Sequence, residues 1–122
     1  MKMYSWHFFI RLYLKSVAVH KITDENFKEE VLNSDKPVLA IFSAIWCGPC
    51  QSMSGAYEEI SEELSDKVLI KKMDVDSDPN TPTQYGIRSI PSMLLFNKSE
   101  LVGTKIGASG KSDLLNWIKE KI

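Results

Sequence analysis

An uninterrupted apolar run, Val38-Leu39-Ala40-Ile41-Phe42, closely precedes the segment Trp46-Cys47-Gly48-Pro49-Cys50. A strand that is apolar at every position has no face to give to water, so it belongs at the centre of a sheet covered on both sides. Beyond the cysteines the period changes. Met53, Tyr57, Ile60 and Leu64 recur at helical spacing. The two cysteines therefore fall where a buried strand ends and a helix begins. They are the only cysteines in 122 residues. A disulfide scaffold uses more cysteines, spread along the chain, and a structural zinc site needs four ligands. The other good ligand candidates are His7 and His20, both far upstream. The pair thus reads as redox chemistry, with no metal and no cofactor beyond the pair itself.

The spacing suits that chemistry. The first cysteine of Cys-x-x-Cys at a helix start meets unpaired backbone N–H groups and the positive end of the helix dipole, which lower a thiol pKa. The thiolate is the nucleophile of thiol–disulfide exchange. The second cysteine lies about one turn further on, within reach of a mixed disulfide formed on the first. Gly48 and Pro49 fit the first turn, where the missing N–H of proline costs no helical bond. Trp46 sets a flat apolar wall beside the sulfur.

The rest of the chain reads as strands alternating with helices, then a hairpin and a last helix. Val17–Ile22 is predicted as a strand, and Thr23 as the cap of a helix through Phe27 and Leu32, with Asp24 and Glu25 in its first turn. Val68–Val75 is the next strand and Thr81–Tyr85 a short helix. Met93–Phe96 and Leu101–Ile106 are strands joined at Asn97–Glu100. A final helix ends near Lys121, with Leu114, Leu115, Trp117 and Ile118 on its apolar side. This order predicts an α/β fold, with a central mixed β-sheet flanked by helices on both faces. Residues 17–122 are read as one domain, and residues 1–16 as an N-terminal extension of uncertain role. Residues 1–23 hold Lys2, Arg11, Lys15 and Lys21 and no acid, whereas the remainder is mildly acidic. The total net charge of −1 gives no reason to expect nucleic acid as a partner. The extension shows both strand and helix spacing, and its apolar run Phe8–Ile10 is too short to span a membrane.

The residues carry a family resemblance. Trp46-Cys47-Gly48-Pro49-Cys50 is similar, residue for residue, to the thioredoxin active site. The likeness continues through Asp74-Val75-Asp76, Asp78-Pro79, Tyr85-Gly86-Ile87-Arg88-Ser89-Ile90-Pro91-Ser92-Met93-Leu94-Leu95-Phe96 and Gly107-Ala108. It covers about residues 17–122. The resemblance implies a thioredoxin fold and a protein disulfide reductase in which Cys47 attacks and Cys50 resolves, supported by Trp46, Gly48, Pro49 and Pro91. Pro91 aligns with the family's cis-proline. Trp46, Ile90, Pro91, Ile106, Gly107 and Ala108 would line a shallow apolar substrate groove. Disulfide-containing proteins would be the substrates, a thioredoxin reductase-like protein the electron donor, and the cytoplasm the compartment.

The sequence also departs from the family. Ile41 stands where thioredoxins usually bury an aspartate beneath the second cysteine, and Lys72 aligns with the lysine that accompanies it. Ile45 replaces a common polar residue or proline, Gln51 a usual lysine, and Gly55 a helix-kinking proline. Two other readings stay open at this point. One is an exported, organellar or membrane-tethered protein of narrower substrate range, with membrane contact through residues 1–16. The other is a docking module without turnover.

Overall fold

The computed structural model describes residues 19–122. The extension expected over residues 1–16 and the first two residues of the expected strand 17–22 lie outside the described residues. Within them the elements run β1 (Val19–Lys21), α1 (Lys28–Leu32), β2 (Val38–Ser43), α2 (Gly48–Ser52), α3 (Ser54–Glu63), β3 (Leu69–Asp74), α4 (Asn80–Gln84), β4 (Ser92–Asn97), β5 (Glu100–Ile106) and α5 (Lys111–Lys121).

All six residues of β2 are buried. The strand pairs in parallel with β3, Ile41 opposite Lys72, and antiparallel with β4, Ile41 opposite Met93. β1 adds in parallel to β3 and β5 antiparallel to β4, giving the order β1-β3-β2-β4-β5. This is the mixed sheet that the element order predicts. Strand alternation divides the core into two layers. Leu39, Ile41, Ile70, Met93 and Leu95 face Tyr57 and Ile60 of α3 and Leu114 and Ile118 of α5. Val38, Ala40, Phe42, Met73, Leu94 and Phe96 face Phe27 and Val31 on the other side. The rings of Phe27, Tyr85 and Phe96 meet there at 5.6 to 5.7 Å. Each large aliphatic side chain so enclosed contributes about 1.5–3 kcal/mol, so both layers hold β2 in place.

Two local features differ from the sequence reading, the helix after Thr23 and the helix after Cys50. Thr23 and Asn26 form a reciprocal cap: Thr23 N–H donates to Asn26 Oδ1 at 2.8 Å, and Asn26 N–H to Thr23 Oγ1 at 3.3 Å. The helix beyond is short and ends in a widened turn, with Asn33 N–H donating to Lys28 C=O. The expected helix through Met53 to Leu64 is broken at Met53, two residues before the expected bend at Gly55. Ser52 Oγ takes the Pro49 carbonyl at 2.8 Å, while Met53 N–H turns to Cys50 C=O at 3.2 Å. Trp117 packs over Gly103, where an added Cβ would lie 2.8 Å from the indole Cζ2.

Asp24 does not serve its own helix. Its carboxylate accepts from Asn80 N–H at 3.1 Å, Thr81 N–H at 2.8 Å and Thr81 Oγ1 at 2.7 Å, capping α4 from across the fold. In return Asp24 N–H donates to the buried Asp78 Oδ1 at 2.9 Å. Desolvation pushes the Asp24 pKa up, but the hydrogen bonds from Thr81 and Asn80 outweigh it and hold the carboxyl below its ordinary value.

Two glycines give opposite expectations. Nothing lies within 4 Å of a Cβ added at Gly55, so Gly55→Ala raises stability by roughly 0.5–1 kcal/mol. Gly103→Ala collides with the half-buried Trp117 and lowers it by about 1–3 kcal/mol. Urea melts of both variants check the pair of signs. For Asp24, removal of a helix cap in Asp24→Ala costs about 1 kcal/mol at pH 7. Because the folded-state pKa is depressed, this contribution is complete above the ordinary carboxylate value and is lost as pH falls through the lower folded value. Urea melts of wild type and variant therefore converge below about pH 3.9.

Candidate active site

The end of β2 delivers the chain to the site. Ser43 and Ala44 are still buried, whereas Ile45 and Trp46 are 80 % and 71 % exposed. Gln51 Nε2 donates to Ile45 C=O at 3.1 Å and fastens this loop back onto α2. Trp46 Nε1 donates to Asp76 Oδ2 at 2.6 Å, so the loop after β3 fixes the indole. Asp76 is in turn positioned by its own N–H donating to Asp74 Oδ1 at 2.9 Å.

Cys47 is the N-cap of α2, and Cys50 lies in that helix. The two are disulfide-bonded, with Cα atoms 5.3 Å apart. Cys50 N–H donates to Cys47 Sγ at 3.2 Å, so a backbone donor is aimed at the first sulfur. Gly48 and Pro49 occupy the first turn and are exposed. Cys47 keeps 5 % exposure and Cys50 none. The pair is packed by Ala44, Val75 and Ile90.

On the far side the Ile90–Pro91 peptide is cis, and Ile90 C=O stands 3.9 Å from Cys47 Sγ. Pro91 is buried, and its C=O accepts from Gly107 N–H at 2.8 Å. That bond draws the end of β5 to the site, with Ile106 68 % exposed and Ala108 also exposed. Gly107 has φ of +89°, a conformation that side chains disfavour. The fold thus packs Ile90 against the disulfide, sets Trp46 next to Cys47 in the chain, and ties Gly107 to Pro91. Asp76 and Val75 belong to the same surroundings. They lie in the Asp74-Val75-Asp76 stretch of the resemblance, but no periodicity marks an indole's partner thirty residues away.

Ile41 is fully buried in the layer that also holds Met53, Tyr57 and Met93. Among the described residues the Tyr57 hydroxyl donates to Met53 Sδ, at 3.5 Å, and burial pushes its pKa up to about 12. Tyr57 therefore stays a neutral phenol near pH 7 and supplies no charge beneath the cysteines. Lys71 Nζ is bound to Glu30, through its C=O at 3.0 Å and Oε2 at 3.3 Å. Among the described residues no group of three or more His, Cys, Asp and Glu is placed to hold a metal.

Comparison with known proteins agrees with this geometry. The family model for thioredoxin matches residues 18–120. The thioredoxin of Rickettsia prowazekii is 51 % identical over 104 residues, covering 85 % of this chain and 99 % of that protein. That of Buchnera aphidicola is 47 % identical over 102 residues, 84 % of this chain and 94 % of the relative. That of Acidithiobacillus ferridurans is 42 % identical over 107 residues, 88 % and 99 % of the two chains. Thioredoxins exchange dithiol for disulfide through a cysteine pair and without a separate cofactor. The chain belongs to the thioredoxin family and is a thiol–disulfide oxidoreductase that works through Cys47 and Cys50.

Proposed function

We propose that Cys47 is the attacking thiol and Cys50 the resolving thiol of a general protein disulfide reductase. The asymmetry of the pair supports this most directly: Cys47 caps a helix, keeps 5 % exposure and has the Cys50 N–H aimed at its sulfur, whereas Cys50 is fully buried. In the reduced protein the Cys47 thiolate attacks one sulfur of a substrate disulfide. The substrate S–S bond breaks, and the released sulfur leaves as a thiolate that takes a proton. Cys50, once deprotonated, attacks Cys47 Sγ and releases the second substrate thiol. Two electrons pass to the substrate and the Cys47–Cys50 disulfide remains, so a reductase-like donor must return two electrons per cycle.

Trp46, Ile90, Pro91, Ile106, Gly107 and Ala108 line the substrate groove in this reading, and an extended segment of a disulfide-containing protein binds beside the Ile90 backbone. A cytoplasmic setting suits a catalytic pair that cycles between thiol and disulfide. No helix among the described residues is long and apolar enough to cross a membrane. The membrane-tethered alternative rests on residues 1–16, outside the described residues. The docking-module alternative has in its favour only the apolar Ile41 where the resemblance implies a buried carboxylate.

The first test is reduction of insulin disulfides by the full chain, recycled by a thioredoxin reductase or by dithiothreitol. Turnover is expected to vanish in Cys47→Ser, and Cys50→Ser is expected to accumulate a mixed disulfide with substrate. Equal turnover in Cys47→Ser and wild type would refute the assignment. The second test concerns proton transfer. With Ile41 in place of a carboxylate, Cys50 must lose its proton to water or to a substrate group. Mixed-disulfide resolution should therefore be slow near pH 7 and rise toward alkaline pH. Ile41→Asp should speed resolution near pH 7 while lowering stability by about 1–3 kcal/mol. No gain in the single-turnover rate at pH 7 would remove Ile41 as the cause.

A further inference from the structure

The substrate groove lies over the β4–β5 half of the sheet. On the other half, beyond Ile45, there is a separate cleft of about 240 Å³, and neither Ile90, Pro91 nor Ile106 lines it. Its walls include Lys21 from β1, Lys72 and Asp74 from β3, Gln51 from α2, and Ile45 itself. Neither Lys21 nor Lys72 makes an ion pair with a described residue. Asp74 already spends Oδ1 on the Asp76 N–H. Among the described residues the cleft therefore holds two ammonium groups without an ion-pair partner against one partly committed carboxylate. Ile45 stands at its mouth, 80 % exposed and held by the bond from Gln51 to its carbonyl. It is only two residues from Cys47. An extended segment advances about 3.3 Å per residue, so a side chain some two to four residues from an attacked disulfide reaches this cleft while the disulfide lies at Cys47.

We infer that Ile45, Lys21 and Lys72 form a selectivity subsite that favours substrate segments carrying an acidic side chain a few residues from the disulfide. The inference rests on the reductase reading above and adds a substrate preference to it. Ile45 covers the apolar part of the approaching segment, and the two lysines receive the carboxylate. A substrate lysine at that position would meet two like charges against a single, partly committed carboxylate. Long-range attraction does not explain such a preference, because the chain as a whole carries −1 and repels acidic segments slightly.

The test uses the full chain, recycled by dithiothreitol, on three disulfide peptides. They differ only in the residues three positions before the first cysteine and three after the second, which are Glu, Ala or Lys. At low ionic strength kcat/KM for the Glu peptide is expected to exceed that for the Lys peptide by about 1.4- to fivefold, the range for exposed ion pairs. The ratio should fall toward one at about 0.5 M salt. It should also fall toward one in Lys21→Gln/Lys72→Gln, and drop below one in Ile45→Glu. A wild-type ratio of one or less at low salt, with the Ala peptide turned over, overturns the subsite alone. So does a ratio unchanged in the double lysine variant. No turnover of any of the three peptides overturns the reductase reading, and the subsite with it.

Discussion

The complete burial of β2 is the constraint from which the rest of the structure follows. A strand with no polar face must have a neighbour on each edge and a layer on each face. Here β3 and β4 supply the edges, and α3 with α5 and the Phe27–Val31 segment supply the layers. Once β2 is fixed in this way, its carboxyl end can only emerge at one rim of the sheet. That rim, outside the ends of the central strands, is where open α/β sheets place their reactive groups. The cysteines therefore follow directly on the most deeply buried strand, although the residues beside them are exposed.

The same burial explains how the chain accommodates Ile41. An ionised carboxylate in this layer would lie among Met53, Tyr57 and Met93, lose its hydration, and need a partner such as Lys72, which stands opposite position 41 on β3. Isoleucine removes that demand and joins the layer as an ordinary packing residue. The expected consequence falls on function rather than on folding: the buried Tyr57 phenol, its pKa raised to about 12, does not replace a carboxylate as proton acceptor.

The parts of this fold legible in the sequence are those written in local periods. The apolar run of β2, the hairpin of β4 and β5 and the apolar side of α5 are each set by neighbours along the chain. The cysteine pair is legible for the same reason, since its chemistry depends on four adjacent residues. What the sequence hides is paired across long separations. Asp24 looks like a first-turn acid, yet its carboxylate caps α4 more than fifty residues later. Gly103 looks like a weak point in β5 until Trp117 is seen to occupy the space of its absent side chain. The break at Met53 is local but still escapes periodicity, because it depends on whether Ser52 or Met53 claims a nearby carbonyl.

The two sides of the reactive pair are built from different materials. Toward β4 and β5 the contacts near Cys47 are largely main chain: the Ile90 carbonyl, and the Gly107 N–H donating to the Pro91 carbonyl. Main-chain groups are the same whatever residue bears them, so that side can support exchange with many substrates. Toward β1 and β3 the surface is made of side chains, Ile45, Lys21 and Lys72, whose size and charge a single substitution changes. A reductase built in this way can keep its exchange chemistry while its substrate preference shifts. That freedom exists because Ile45 lies just past the last buried residue of the β2 segment, where exposure begins and the packing of the core no longer restricts which side chain is allowed.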